Sequence, residues 1–191
     1  MRKTTDLEYF QYLANRSRVS FMFRRFMYKP VLKQLSGRML DVGCGIGEFL
    51  EIYRESYGID TNTYCVKYCR EKGLNCTVGS AYKIPHTSDS FDSVIFSHVL
   101  EHLDKPDTAI SEIDRVLKVG GKLIIIVPSE RGYKSDPTHV TFWSASNLSQ
   151  LLQKHGFRIE RTSYWPTPFN ALNNITTLGE TRIVAVKTIK I

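Results

Sequence analysis

Leu40-Asp41-Val42-Gly43-Cys44-Gly45-Ile46-Gly47-Glu48 is the stretch on which the fold turns. Residues 38–42 read as a strand and 48–54 as a helix, so three glycines occupy the turn between them. Glycine lets a backbone bend sharply and approach a ligand without a Cβ in the way, and the following helix brings its N-terminal amides to the same place. The spacing is GxGxG, not the GxGxxG of dinucleotide sites, so the loop alone points only to a nucleotide-like ligand. Just outward, 56–59 read as a second strand followed by Asp60, 19 residues after Asp41. A carboxylate there can accept both hydrogen bonds of a ribose diol. It equally suits the cap of a helix ahead of 61–72, and the spacing alone does not choose.

Further outward the same alternation continues. A helix is expected over 62–72, ending at Gly73, then strands over 76–78 and 93–96, the latter entered through Phe91-Asp92. Asp107 can cap a helix running to Lys118 with Gly120-Gly121 as its stop, and 122–127 form the next strand, ended by Pro128. After an irregular stretch over 129–143, a helix is expected over 145–155 and two last strands over 157–164 and 182–189. Strands alternating with helices predict an α/β protein, a mostly parallel sheet with helices on both faces, and a ligand at the carboxyl ends of the strands.

The chain has 191 residues, near the length of one domain, and its 42% hydrophobic and 24% charged residues exclude a disordered, collagenous or coiled-coil chain. Its longest aliphatic run, 123–127, is far short of a bilayer span. The N-terminus lacks the apolar core of a secretory signal, which gives the expectation of a cytoplasmic protein. Four cysteines, at 44, 65, 69 and 76, lack paired CxxC spacing and read as reduced thiols, with Cys65 and Cys69 on one helix face. Residues 1–40 hold nine Lys or Arg against two Asp or Glu, and the rest of the chain holds 17 of each. Residues 16–33 interleave Arg16, Arg18, Arg24, Arg25, Lys29 and Lys33 with Val19, Phe21, Met22, Phe23, Phe26 and Met27. This is a basic amphipathic helix that packs its aromatics on the domain, or serves as a lid, or touches anionic lipid or RNA. Residues 1–36 are accordingly set apart as a basic amphipathic helical extension or lid to the domain at 37–191.

Four motifs in order resemble the class I S-adenosylmethionine-dependent methyltransferases, especially the small-molecule group that includes ubiquinone-biosynthesis enzymes. They are Asp41 to Gly47, Tyr57-Gly58-Ile59-Asp60, Gly79 to Pro85 with Ser90 to Ile95, and Leu117 to Leu123. The resemblance covers about residues 37–160. It implies the Rossmann-like fold of that class with a seven-stranded sheet, and S-adenosylmethionine as cofactor. It also implies Asp41, Gly43, Cys44, Gly45 and Gly47 as the loop against the cofactor, Asp60 as ribose ligand, and Ser80, Ala81 and Ser97 as further cofactor neighbours. Many relatives have an acidic residue where Ser80 stands, and a serine accepts from the adenine amino group more weakly.

Methyl transfer needs positioning and, for a hydroxyl acceptor, a base. His98, at the end of the fourth strand, and His139, in the irregular stretch, are the candidate bases. The family commonly has Glu-His-Leu where Glu101-His102-Leu103 stand, and those residues read as loop structure. His98, Glu101, His102 and His139 also resemble the metal-ligand spacing of small-RNA 2′-O-methyltransferases, with histidine replacing a glutamate, and match the HxxEH order of inverted zinc peptidases without their fold; no metal is assigned. The Asn/Asp-Pro-Pro-aromatic sequence of nucleic-acid amino methylation is missing, as is a Pro-Cys nucleophile. The expected function is therefore methylation of a small-molecule acceptor, first at oxygen. A cofactor-binding protein without activity is the alternative, as is an enzyme recruited to lipid or RNA.

Overall fold

The computed structural model describes residues 5–53, 55–169 and 177–189, and of 18–21 the backbone only. The strands are β1 (Met39–Val42), β2 (Ser56–Asp60), β3 (Cys76–Val78), β4 (Phe91–Ser97), β5 (Leu117–Pro128), β6 (Phe157–Trp165) and β7 (Glu180–Lys187). The helices are α1 (Asp6–Ala14), α2 (Arg18–Leu32), α3 (Thr63–Glu71), α4 (Pro106–Val116), α5 (Glu130–Ser135) and α6 (Ala145–Lys154). One sheet runs β3-β2-β1-β4-β5-β7-β6, parallel except where β7 pairs antiparallel with β5 and β6. This is the Rossmann-like class I methyltransferase architecture. β1 lies inside the sheet, with Asp41 opposite Gly58 on one side and Ile95 on the other.

The period of two along β5 sorts its residues between two cores. Ile125 and Val127 face the cluster that holds Ile110 and Ile113 of α4 and Leu148 and Leu152 of α6. Ile124 and Ile126 face the other side, against Met27, Tyr28 and Val31 of α2. A strand covered on both faces is apolar throughout, and each such isoleucine contributes about 1.5–3 kcal/mol by leaving water. α2 therefore forms part of the core, covering one face of the sheet. It is amphipathic as expected, but Met22 and Phe26 stay 70% and 67% exposed. Helical spacing aligns them with Lys29 and Lys33, on a stripe separate from the buried 27, 28 and 31. The side chains of Arg18, Val19 and Phe21 lie outside the described residues.

Four sequence expectations need correction. Residues 48–53 are a run of turns where a helix was expected, and Arg54 lies outside the described residues. Their bonds mix i−4 closures (Glu51 to Gly47, Tyr53 to Phe49) with an i−3 closure (Ile52 to Phe49). Phe49 joins the cluster against Tyr28 while Leu50 joins the cysteines, so no single apolar stripe propagates a helix. Gly120-Gly121 do not stop α4: the helix ends at Val116 and β5 begins at Leu117, which pairs with Phe91 before a register shift. Gly120, at φ +77°, lies in that irregularity. Asp107 does not cap α4 either, because Lys105 holds the cap position and Pro106 the first turn, where its missing N–H costs nothing. The stretch expected to be irregular contains α5, capped by Ser129, whose Oγ accepts from the Gly132 amide. Among the described residues no helix is long and apolar enough to cross a membrane.

Candidate active site

The glycine turn hangs from the end of β2. The Gly43 and Cys44 amides donate to the Ile59 carbonyl at 2.8 and 3.0 Å. The Gly45 amide donates to Asp60 Oδ2 and the Asn62 amide to Asp60 Oδ1, both at 2.8 Å. The cap of α3 is Asn62, whose side chain accepts from Tyr64 and Cys65, so Asp60 is free of the capping role. Gly43 and Gly45 have φ of +78° and +51°, and a Cβ on Gly43 would collide with Val99, just beyond β4. Asp41 is buried beneath the loop, and burial, with the charges of Asp60 and Glu48 nearby, pushes its carboxyl well above the usual range. Burial raises Asp60 too, against the pull of its two amides. The next loop is tied in by the Gly79 amide, which donates to the Asp60 carbonyl, and by Ser80 Oγ, which accepts from the Tyr82 amide. Ala81 beside it is buried, and Ser97 ends β4 half-buried.

α1 packs over this turn, through contacts that the sequence did not reveal. Asn62 Nδ2 donates to the Asp6 carbonyl at 2.7 Å, and Phe10 packs its ring on Tyr64 and Tyr68. Leu13 Cδ1 lies 3.3 Å from where a Cβ on Gly45 would stand, and Arg16 reaches Glu48 at 3.7 Å. Tyr9 of the same helix stays 45% exposed. The arrangement fits S-adenosylmethionine. The glycines leave a cradle that side chains would fill, and each Asp60 oxygen has a lone pair left for a ribose hydroxyl.

Beyond β4, His98 adopts φ +54°, rare for a residue with a side chain. Its Nδ1 lies 3.3 Å from Glu101 Oε1 and its Nε2 3.1 Å from Glu180 Oε1. Burial opposes a charge on the ring, but the two carboxylates outweigh it and lift His98 to about 9. Burial likewise works against the charge on Glu180, yet His98 and Arg182 hold its carboxyl below the usual value. Arg182 grips the other Glu180 oxygen at 2.7 and 2.8 Å and donates to the Met27 carbonyl of α2. Neither Glu180 nor Arg182 was picked out from the sequence; their signal is a charged pair two residues apart in an otherwise apolar strand.

His139 sits opposite. Its Nδ1 donates to the Tyr133 carbonyl at 2.8 Å and its ring stacks on Tyr133, which leaves Nε2 as the acceptor nitrogen. That nitrogen is 3.9 Å from Glu101 Oε1. The loop is held there by the Val140 and Thr141 amides, which donate to the Glu101 carbonyl. Glu101 is 1% exposed and its Oε2 has no hydrogen-bond partner. Glu101, His102 and His139 can each offer one ligand atom within 4.8 Å of the others, as can Cys44, Cys69 and Cys76. Cys65 and Cys69 are both buried on α3 as expected, but Cys69 meets Cys44 and Cys76.

A sheet of this order, with a glycine turn after its first strand and a carboxylate closing its second, defines an α/β protein built for a nucleotide-type cofactor. The family model described as "Methyltransferase domain" matches residues 40–125. A probable S-adenosylmethionine-dependent methyltransferase of Mycolicibacterium smegmatis is 28% identical over 75% of this chain, which spans 62% of that protein. The tRNA (carboxymethyluridine(34)-5-O)-methyltransferase of Macaca fascicularis is 36% identical over 46% of this chain and 14% of its own length. The crystal structure of an S-adenosylmethionine-dependent methyltransferase from Archaeoglobus fulgidus superimposes with a TM-score of 0.73 at 23% identity, over 87% of this chain and 94% of that one. Residues 40–125 match a methyltransferase domain, and this likeness, with that to the Mycolicibacterium smegmatis protein, supports S-adenosylmethionine as the cofactor.

Proposed function

We propose that the protein methylates an oxygen of a small-molecule acceptor, with His139 Nε2 as the base that takes the acceptor's proton. The observation that carries this reading is the fixed tautomer of His139, whose Nδ1–H is spent on the Tyr133 carbonyl while Nε2 stands beside Glu101. A carboxylate at that distance stabilises the imidazolium formed when the proton arrives. His98 takes a different part: held near pKa 9 between Glu101 and Glu180, it is protonated at neutral pH and fixes both carboxylates. It is a positioning residue, not the base.

S-adenosylmethionine, when bound, supplies an electrophilic methyl group on a sulfonium. Gly43, Gly45, Asp41 and Asp60 would hold it, with Ser80, Ala81 and Ser97 at the edges of its site and Cys44 and Gly47 shaping the loop. α1 acts as a lid that excludes water from the turn through Leu13. Oxygen as acceptor atom draws support from the partial likeness to an enzyme whose name specifies O-methylation. A small acceptor draws support from the missing amino-methylating motif after β4. The test is an acceptor screen of phenols, hydroxy acids and carboxylates with radiolabelled cofactor. Transfer only to nitrogen acceptors, or to none, would reject it.

One observation favours a second reading, peripheral contact with an anionic surface. Met22, Phe26 and Lys29 of α2, with Lys33 just after its end, form an exposed stripe, apolar residues beside cations, the composition that suits lipid headgroups or RNA phosphates. Salt-sensitive binding to vesicles of anionic phospholipid, absent for neutral ones and for tRNA, would support the lipid form. Binding to tRNA alone would support the RNA form.

A further inference from the structure

We propose that Cys44, Cys69 and Cys76 form a binding site for one divalent, thiophilic d10 cation of the zinc and cadmium class, directly behind the glycine turn. The three thiols come from three elements: the turn itself, α3, and the first residue of β3. Their sulfurs all lie within 4.8 Å of one another, and Cys44 and Cys76 are 3.3 Å apart. Tetrahedral zinc–thiolate bonds of about 2.3 Å place sulfurs about 3.8 Å apart, so the triangle already brackets the required size. A fourth donor converges on the same point. The Gly45 carbonyl oxygen accepts from Cys69 Sγ at 3.4 Å and from Cys44 Sγ at 3.9 Å.

The neighbouring backbone is cut to admit these sulfurs. A Cβ on Gly58 would stand 2.7 Å from Cys44 Sγ, and one on Gly47 3.0 Å from Cys69 Sγ. Arg70 fixes the third arm, its Nε donating to the Cys76 carbonyl at 2.8 Å. Charge selects the valence. Three thiolates around a divalent ion leave one net negative charge, which Arg70 offsets, whereas a monovalent ion would leave two beside the buried Asp41. Binding breaks three S–H bonds, forms three sulfur–metal bonds and sends the protons to water, with no electron transferred. The bound ion would tie the turn to α3 and β3.

The test uses the whole reduced protein without oxygen. Cd2+ is added while the sulfur-to-metal charge-transfer absorption is followed, with native mass spectrometry for stoichiometry and Zn2+ as competitor. The expected result is one ion per chain, displaced by Zn2+, with three thiols protected from alkylation. Removing a ligand outright should cost at least the 10- to 100-fold typical of outer partners, so Cys76→Ser and Cys69→Ser should weaken uptake by about 100-fold or more. Cys65→Ser and Glu101→Gln should leave it unchanged. No absorption band from the unsubstituted protein overturns the proposal whatever the variants do. So does uptake that survives Cys76→Ser, uptake lost in Glu101→Gln, or a chain isolated two hydrogens lighter through a Cys44–Cys76 disulfide.

Discussion

Nε2 of His98 lies 3.1 Å from a carboxylate oxygen of Glu180, 82 residues further along the chain. The contact spans β5: Ile126 stands opposite Ser97 of β4 on one side and Arg182 of β7 on the other. It couples the acceptor side of the site to α2 through Arg182 and the Met27 carbonyl.

That coupling predicts a pH-dependent stability. The folded pKa of His98, about 9, is above its ordinary 6.5, so folding gains from the protonated ring. The gain is complete below about pH 6.5 and is lost as pH rises through about 9. Midpoints of urea unfolding should fall over that window, and His98→Asn should flatten the fall. A parallel slope in His98→Asn would reject the assignment.

Glu180→Ala leaves the buried Arg182 guanidinium without its carboxylate, a loss on the scale of about 3–5 kcal/mol, while His98 keeps Glu101. Urea unfolding should register it, with a smaller loss for Glu180→Gln, which keeps an acceptor oxygen. An alanine variant within about 0.5 kcal/mol of the parent would place Glu180 among residues of no structural weight.

The glycine turn and Asp60 were legible because everything they do is local: a strand end, three glycines and a carboxylate at set spacing. The two cores were legible too, since runs such as Ile124 to Val127 mean burial on both faces. What pairs across distance was not. The partners of His98 and the three-cysteine cluster come from separate elements, and no periodicity connects Cys44, Cys69 and Cys76. The turns after Gly47 failed for a related reason: Phe49 and Leu50 answer to two different clusters, which a helical pattern cannot reveal.

Asp60→Ala should weaken S-adenosylhomocysteine binding by roughly 1–3 kcal/mol, since a ribose diol loses a charge-assisted partner. It also frees the Gly45 and Asn62 amides, so the variant should be less stable as well. Gly45→Val should be worse for binding, at φ +51° and against Leu13. Calorimetry finding parent-like affinity in a folded Gly45→Val protein would overturn the loop's role.

α1 as a lid makes a kinetic prediction. Leu13→Ala removes an apolar contact with the turn, a truncation that costs about 2 kcal/mol or more at a buried site. The expected signs are faster proteolysis after Arg16 and a higher dissociation rate for S-adenosylhomocysteine. Protection by the bound ligand should shrink the proteolysis difference. Equal cleavage rates in parent and variant would show that α1 does not close over the site.

The division of labour between the two histidines is the sharpest test of mechanism. If His139 Nε2 takes the acceptor's proton, His139→Asn should leave cofactor affinity nearly intact and lower turnover by about 100-fold or more, the usual scale of general-base catalysis. His98→Asn removes a cation and loosens Glu101 and Glu180, so it should lower stability at neutral pH while turnover, measured on the folded fraction, falls less. Glu101→Gln separates charge from shape: it keeps an acceptor oxygen at 3.9 Å from His139 but not the carboxylate that stabilises the imidazolium, and should cost turnover without cofactor affinity. A catalytic metal on Glu101, His102 and His139 would give another pattern, activity removed by a chelator and restored by added divalent ion. Full turnover in His139→Asn with no response to chelation would leave neither base nor metal, and positioning alone would carry the reaction.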